Sequence, residues 1–167
     1  VKAVKYVTFA ALMATIFLAN WALERWGIVP IGFGLMAPAG VFFAGLAFGL
    51  RDVLHETGGR RWVVAAILLG AALAYFVAPA FAVASAVAFL FSETADFLVY
   101  DPLRHRHWSG AVILSNGVGA VVDSALFLWL AFGSLEFMVG QIVGKTYMTV
   151  LALPLVWLAR RELAVRR

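Results

Sequence analysis

A long stretch of the chain, from Trp62 to Ser92, contains no charged residue at all. A membrane-spanning helix needs about 20 mostly apolar residues, so this stretch is too long for one span and fits two. Its one proline, Pro79, breaks helices, and we expect a tight hairpin there. The whole chain is 64% hydrophobic and 13% charged. Soluble domains average about 45–50% apolar residues and about 25% charged residues. A lipid bilayer is the environment that fits such a composition.

Similar apolar runs elsewhere in the chain bring the predicted number of spans to six. The second run is expected to stop at Arg51–Asp52, where the first charges after it occur. The sequence therefore predicts an all-α membrane protein with one six-helix transmembrane domain over residues 1–167. The six expected spans cover residues 4–23, 34–50, 62 to the hairpin at 79, 81–99, 110–132 and 137–158.

The positions of lysine and arginine predict the orientation of these spans. Cytoplasmic segments of membrane proteins carry an excess of both residues. With the N-terminus inside, eleven of them fall in cytoplasmic segments, and only Arg25 falls outside. With five spans instead of six, the lysines and arginines would fall on both sides of the membrane. Their distribution therefore supports the hairpin at Pro79 independently of the length of the apolar stretch. We expect a multi-pass inner-membrane protein with both ends in the cytoplasm.

A few polar residues interrupt the last three predicted spans. An ionisable group in a membrane helix costs about 2.5–3.5 kcal/mol, and is a functional candidate by default. On each of these three helices the polar residues recur at helical spacing, so each helix has one polar stripe. We expect the stripes to face one another or a wet cavity. The candidate substrate-binding residues are Glu93, Asp96, Asn116, Asp123, Gln141 and Lys145.

The depth of these residues separates two groups. Asp123 and Lys145 lie at one level on antiparallel neighbours, which predicts an ion pair. Glu93 and Asp96 lie nearer the cytoplasmic face and lack an equal number of cations, unless Arg51 or Arg104 reaches them. We expect these two carboxylates to await a ligand or a proton. The predicted cavity is lined by both, with Asn116 and Gln141, and closed on its outer side by the Asp123–Lys145 pair.

The second half of the chain contains a series of motifs in one order: Ser92–Tyr100, Leu103–Trp108, Leu114–Asn116, Gly119, Val122–Ser124, Leu126–Phe127 and Ala131–Gly133. With these motifs the chain resembles the queuosine precursor transporter family, also called vitamin uptake transporters. The resemblance is strong over residues 81–150, whereas the first 50 residues resemble the family only in hydropathy. Asp52 also fits an acidic position of the family.

This resemblance implies a six-span protein that takes up a 7-deazaguanine base and needs no cofactor. A carboxylate accepts two parallel N–H bonds well, so Glu93 or Asp96 could bind the guanine-like edge. Asn116 or Gln141 could bind the carbonyl, and Phe97 could stack on the ring. The expected partners are this small molecule and the bilayer, without nucleic acid. The ion coupling stays open, and so does the oligomeric state, with a homodimer as one option.

Two other functions remain open on the sequence. The chain could be the substrate-binding subunit of an energy-coupling-factor vitamin importer, which is also a small six-span protein. It could also be an intramembrane enzyme that uses Glu93 and Asp96 as acid and base, although it lacks a nucleophile with an adjacent base. The three histidines show no metal-ligand spacing, and no phosphate-binding loop is present. We therefore expect no metal, no ATP hydrolysis by this chain and no enzyme activity.

Overall fold

Helices make up most of the computed structural model, which describes residues 2–103, 106 and 108–165. Six helices lie in this part of the chain, which agrees with the number of predicted spans. Of the loop predicted at the cytoplasmic face, Arg104, His105 and His107 are outside the described residues. The elements are α1 Lys2–Trp26, β1 Ile28–Gly32, β2 Leu35–Pro38, α2 Val41–Gly58, α3 Arg60–Tyr75, α4 Pro79–Leu103, α5 Trp108–Phe132 and α6 Met138–Val165.

Three stretches of helix in the described part are long and apolar enough to cross a membrane by length and composition. They are Ala3–Trp26, Pro79–Leu103 and Ile113–Phe132. The helix α3 has only 16 residues, and α2 carries Arg51 and Asp52 in its middle. The structure thus shows six helices, of which three have the features of a span.

The turn predicted at Pro79 is confirmed. Helix α3 ends at Tyr75 and α4 begins at Pro79, where a proline is well tolerated because the first N–H groups of a helix have no partner within it. The two helices formed by the uncharged stretch pack against each other. The break therefore divides this stretch into two helices, as its length requires.

The structure corrects the prediction that the chain is entirely α-helical. Residues 28–38 form an antiparallel hairpin, so the second helix begins at Val41 rather than at Gly34. The backbone turns with positive φ angles at Gly32, Phe33 and Gly34, a conformation that glycine adopts easily. Glycine and proline both disfavour helix, so this segment cannot continue the helix that follows it.

The second helix also ends later than predicted. Arg51 and Asp52 do not stop it, and it continues to Gly58. The next residue, Gly59, has a φ of 79° and ends the helix. Buried Val53 and Leu54 lie beyond the charged pair, so apolar packing extends the helix past it. As a result, the Arg51 side chain lies inside the bundle rather than at its edge.

Helix α2 is central to the bundle and packs against α1, α3 and α6. It approaches α6 closely at Gly45, where a Cβ atom would lie 2.7 Å from the carbonyl oxygen of Lys145. No side chain fits there, so glycine permits the close crossing of the two helices. On the other side of α2, an apolar core joins Leu12, Leu54 and Ile67.

Candidate functional site

A buried arginine on α2 gathers polar side chains from two other helices. The Arg51 side chain lies 2.7 Å from Asp52, 3.2 Å from Glu93 and 3.3 Å from Asp96. It also donates a hydrogen bond of 2.6 Å to Asn116 Oδ1, and Asn116 Nδ2 donates one of 3.2 Å to Asp52. We call these five residues the arginine cluster. It ties α2 to α4 and α5 at one level of the bundle.

Arg51 is the cation that reaches Glu93 and Asp96, an alternative that the sequence had left open. One arginine still faces more carboxylates than it can balance, as the sequence predicted, while Arg104 is outside the described residues. The guanidinium has several N–H donors in a planar fork, which lets one arginine serve more than one carboxylate. The sequence could not decide this pairing because it placed Arg51 at a helix end, where the side chain would reach water.

The ion pair predicted between Asp123 and Lys145 is confirmed. The ammonium of Lys145 lies 2.5 Å from Asp123 Oδ2 and donates a second hydrogen bond, of 2.7 Å, to Ser124 Oγ. All three residues are buried. A buried ion pair is tolerated only when further hydrogen bonds satisfy its atoms, and Ser124 supplies one here.

A cavity lies between α1, α2, α4, α5 and α6, with about 560 Å³ of space including its opening. Apolar residues form most of its wall, and a smaller set of polar and aromatic groups could orient a ligand. These groups are Thr15, Asn20, Ser85, Phe89, Asp123, Phe127 and Gln141.

Two amide side chains of the cavity differ in their bonding. Asn20 donates to the carbonyl oxygen of Ile16 at 2.9 Å and accepts from Ser85 at 2.9 Å. Gln141 is also buried, but its Oε1 atom has no hydrogen-bond partner among the described residues. Leaving a buried acceptor without a partner costs about 1–3 kcal/mol. A ligand with an N–H donor would remove that cost at Gln141.

The six predicted site residues fall into two groups rather than around one cavity. Asp123 and Gln141 line the cavity, and Lys145 contacts Asp123. Glu93, Asp96 and Asn116 belong to the arginine cluster and are not part of the lining. Of the four residues that were predicted to line the cavity, Glu93, Asp96, Asn116 and Gln141, only Gln141 is part of this lining.

Two stacked phenylalanines connect the cavity to the arginine cluster. Phe89 lines the cavity, and its ring stacks on Phe48 at 5.4 Å between centroids. The Arg51 guanidinium lies 5.1 Å from the Phe48 centroid, a favourable cation–π distance. Glu93 follows Phe89 by one helical turn. Packed side chains therefore connect the arginine cluster to the cavity, so a change in the cluster can affect the cavity wall.

Several residues of this site are not among the predicted site residues. Arg51 is the most important, and the signal that could have placed it inside the bundle is the apolar pair Val53–Leu54, which continues the helix beyond it. Asn20 of α1 is another, and its partner Ser85 lies on another helix. Such a partner has no signal in one sequence, because the contact depends on how α1 and α4 pack.

A family model described as "Putative vitamin uptake transporter" matches residues 74–159, about half of the chain. The chain belongs to this vitamin uptake transporter family. No curated protein and no solved structure matches it. The matched residues include all six predicted site residues, whereas Arg51 and the hairpin precede them. The family and the three apolar helices together indicate a membrane protein that is a vitamin uptake transporter. A transporter is consistent with the expectation that the chain is not an enzyme.

Proposed function

We propose that this vitamin uptake transporter imports a 7-deazaguanine base, a precursor of queuosine, across the inner membrane. The base binds in the cavity, where Asp123 and Gln141 contact it directly. Lys145 holds the Asp123 carboxylate in place from behind. Glu93, Asp96 and Asn116 act from the arginine cluster below the cavity rather than through direct contact with the base.

The chemistry of the cavity supports this substrate class. A deazaguanine has adjacent N–H donors on one edge and a flat aromatic ring. Gln141 Oε1 is an acceptor without a partner among the described residues, and Asp123 supplies a carboxylate at the same cavity. Phe89 and Phe127 present rings that could pack against the faces of a base. The unpartnered oxygen of Gln141 is the observation that carries the proposal.

Uptake of labelled 7-cyano-7-deazaguanine by cells that cannot make it tests the proposed function. Cells with the transporter should accumulate the label, and Gln141→Leu should raise the KM about tenfold, because a hydrogen bond worth about 1.4 kcal/mol is lost. Thr146→Val, on an exposed part of the same helix, should leave uptake unchanged. If cells with the wild-type protein take up no more label than cells with empty vector, this substrate is excluded.

The same purified chain in vesicles separates this proposal from the role of an importer subunit. A self-sufficient carrier should exchange labelled for unlabelled base across the vesicle membrane without ATP or a second protein. A substrate-binding subunit would bind the base and exchange none until an ATPase pair is added. Exchange by the chain alone is the expected outcome.

The proposed topology has six spans with both ends in the cytoplasm. It places the tip of the β-hairpin, where Phe33 is 91% exposed, outside the cell. Phe33→Cys should therefore react with an impermeant thiol reagent in intact cells, whereas His105→Cys should react only after the cells are opened. The chain has no natural cysteine, so no background labelling interferes. Labelling at position 105 in intact cells would refute the orientation.

A further inference from the structure

Glu93 is the least satisfied carboxylate of the arginine cluster. Neither of its oxygens has a hydrogen-bond partner among the described residues, although Arg51 Nη1 lies 3.2 Å from Oε2. Its side chain is 2% exposed, compared with 29% for that of Asp52. The guanidinium instead makes its hydrogen bonds to Asp52, Asp96 and Asn116. Arg51 therefore neutralises Glu93 only in part.

The charges of the cluster do not balance. Asp52, Glu93 and Asp96 are three carboxylates around one guanidinium. Negative charges that lie close together disfavour one another, and burial disfavours an ionised carboxylate further. A proton binds most readily where solvation is poorest and hydrogen bonds to the charged form are fewest. In this cluster both criteria select Glu93.

The other charged and titratable groups around Glu93 lie mainly on α2. His55 faces it, with Nδ1 3.9 Å from Oε1, and Asp96 lies one turn further along its own helix. Arg60 of α3 instead donates to Thr94 on the exposed side of α4, and α5 brings the neutral amide of Asn116 to the cluster. The arrangement leaves His55 as the neighbour nearest to solvent, with a side chain that is 32% exposed.

We propose that Glu93 is the binding site for a proton that is cotransported with the substrate. The proton reaches Glu93 from the cavity, past Phe89, and leaves through His55 toward the cytoplasm. When Glu93 is protonated, Arg51 is released from it and pairs with Asp52 and Asp96 alone. Arg51 also packs on Phe48, which stacks on Phe89 at the cavity. This change therefore alters the position of the Phe89 ring, against which the substrate packs. One proton and one substrate molecule then cross together.

Infrared spectroscopy of the purified protein tests the proton site without any substrate. At neutral pH the wild type should show the C=O stretching band of a protonated carboxylic acid, and the band should be lost in Glu93→Gln. Glu136→Gln, which removes an exposed carboxylate outside the helices, should retain it. If the wild type shows no such band, or if the band persists in Glu93→Gln, Glu93 is not the proton site. An absent band in the wild-type spectrum overturns the proposal even if the variant fails to fold.

Transport into vesicles tests the coupling, and this second measurement rests on the proposed function. An inward gradient of one pH unit should raise accumulation of 7-cyano-7-deazaguanine about tenfold, the limit for one proton per neutral substrate. In Glu93→Gln, uptake with and without the gradient should be equal, while Glu136→Gln should respond as the wild type does. Wild-type exchange that ignores the gradient overturns the coupling and leaves the proposed substrate intact. Absence of any exchange, with the infrared band present, overturns the proposed self-sufficient carrier and its proton coupling and leaves Glu93 as a protonated site.

Discussion

Asp123→Asn and Lys145→Met should each leave far less folded protein in the membrane than the wild type. Each change strands one member of a buried pair that is joined at 2.5 Å. Removing one partner of such a pair typically costs about 3–5 kcal/mol, because the other charge stays buried without compensation. The measurements are the amount of protein in the membrane and its thermal unfolding in detergent.

The double variant decides whether the loss comes from the pair itself. Asp123→Asn with Lys145→Met removes both charges, so it should recover much of the stability that either single change loses. Glu24→Gln, at the exposed end of α1, is the control for a lost carboxylate that has no such role, and it should unfold as the wild type does. A double variant less stable than both single variants would show that the two side chains contribute separately.

The Asp123–Lys145 pair could be predicted from the sequence, whereas the contacts of the arginine cluster could not. Asp123 and Lys145 lie on consecutive helices with a short connection, so their depths can be counted from the same turn. Arg51, in contrast, meets Glu93 and Asn116 on helices that are distant in sequence. No local pattern specifies which face of α2 meets α4, and this contact depends on close crossings such as the one at Gly45.

The fold shows the same division between local and distant causes. The break at Pro79 follows from one residue and from the length of an apolar stretch, and it was predicted. The hairpin over residues 28–38 also has local signals, with Pro30 and three glycines nearby. The prediction left residues 28–33 in the connection and assigned residues 34–38 to the second span, because it followed hydropathy alone. An apolar segment next to a bilayer need not be a helix when its backbone can pair with itself.

Arg51→Met should cause the largest loss of folded protein of any single change in the cluster. It leaves three carboxylates within a few ångströms of one another and removes the only cation that the described part of the chain shows in contact with all of them. The expected cost is at least the about 3–5 kcal/mol of an ordinary broken buried pair, since repulsion among the carboxylates adds to it. Arg60→Met, which removes an exposed arginine at the start of α3, should leave the protein level near that of the wild type.

The opposite changes should be mild and should rescue this defect. Glu93→Gln with Asp96→Asn keeps Arg51 paired with Asp52 at 2.7 Å, so one cation faces one carboxylate and the stability should stay near that of the wild type. The same two changes combined with Arg51→Met should restore part of the folded protein, because they remove two of the three stranded carboxyl groups. Thermal unfolding of the four proteins in detergent measures both effects. If Glu93→Gln with Asp96→Asn lowers stability as much as Arg51→Met does, the two carboxylates support the fold through their bonds to Arg51, and the excess negative charge of the cluster has no separate role.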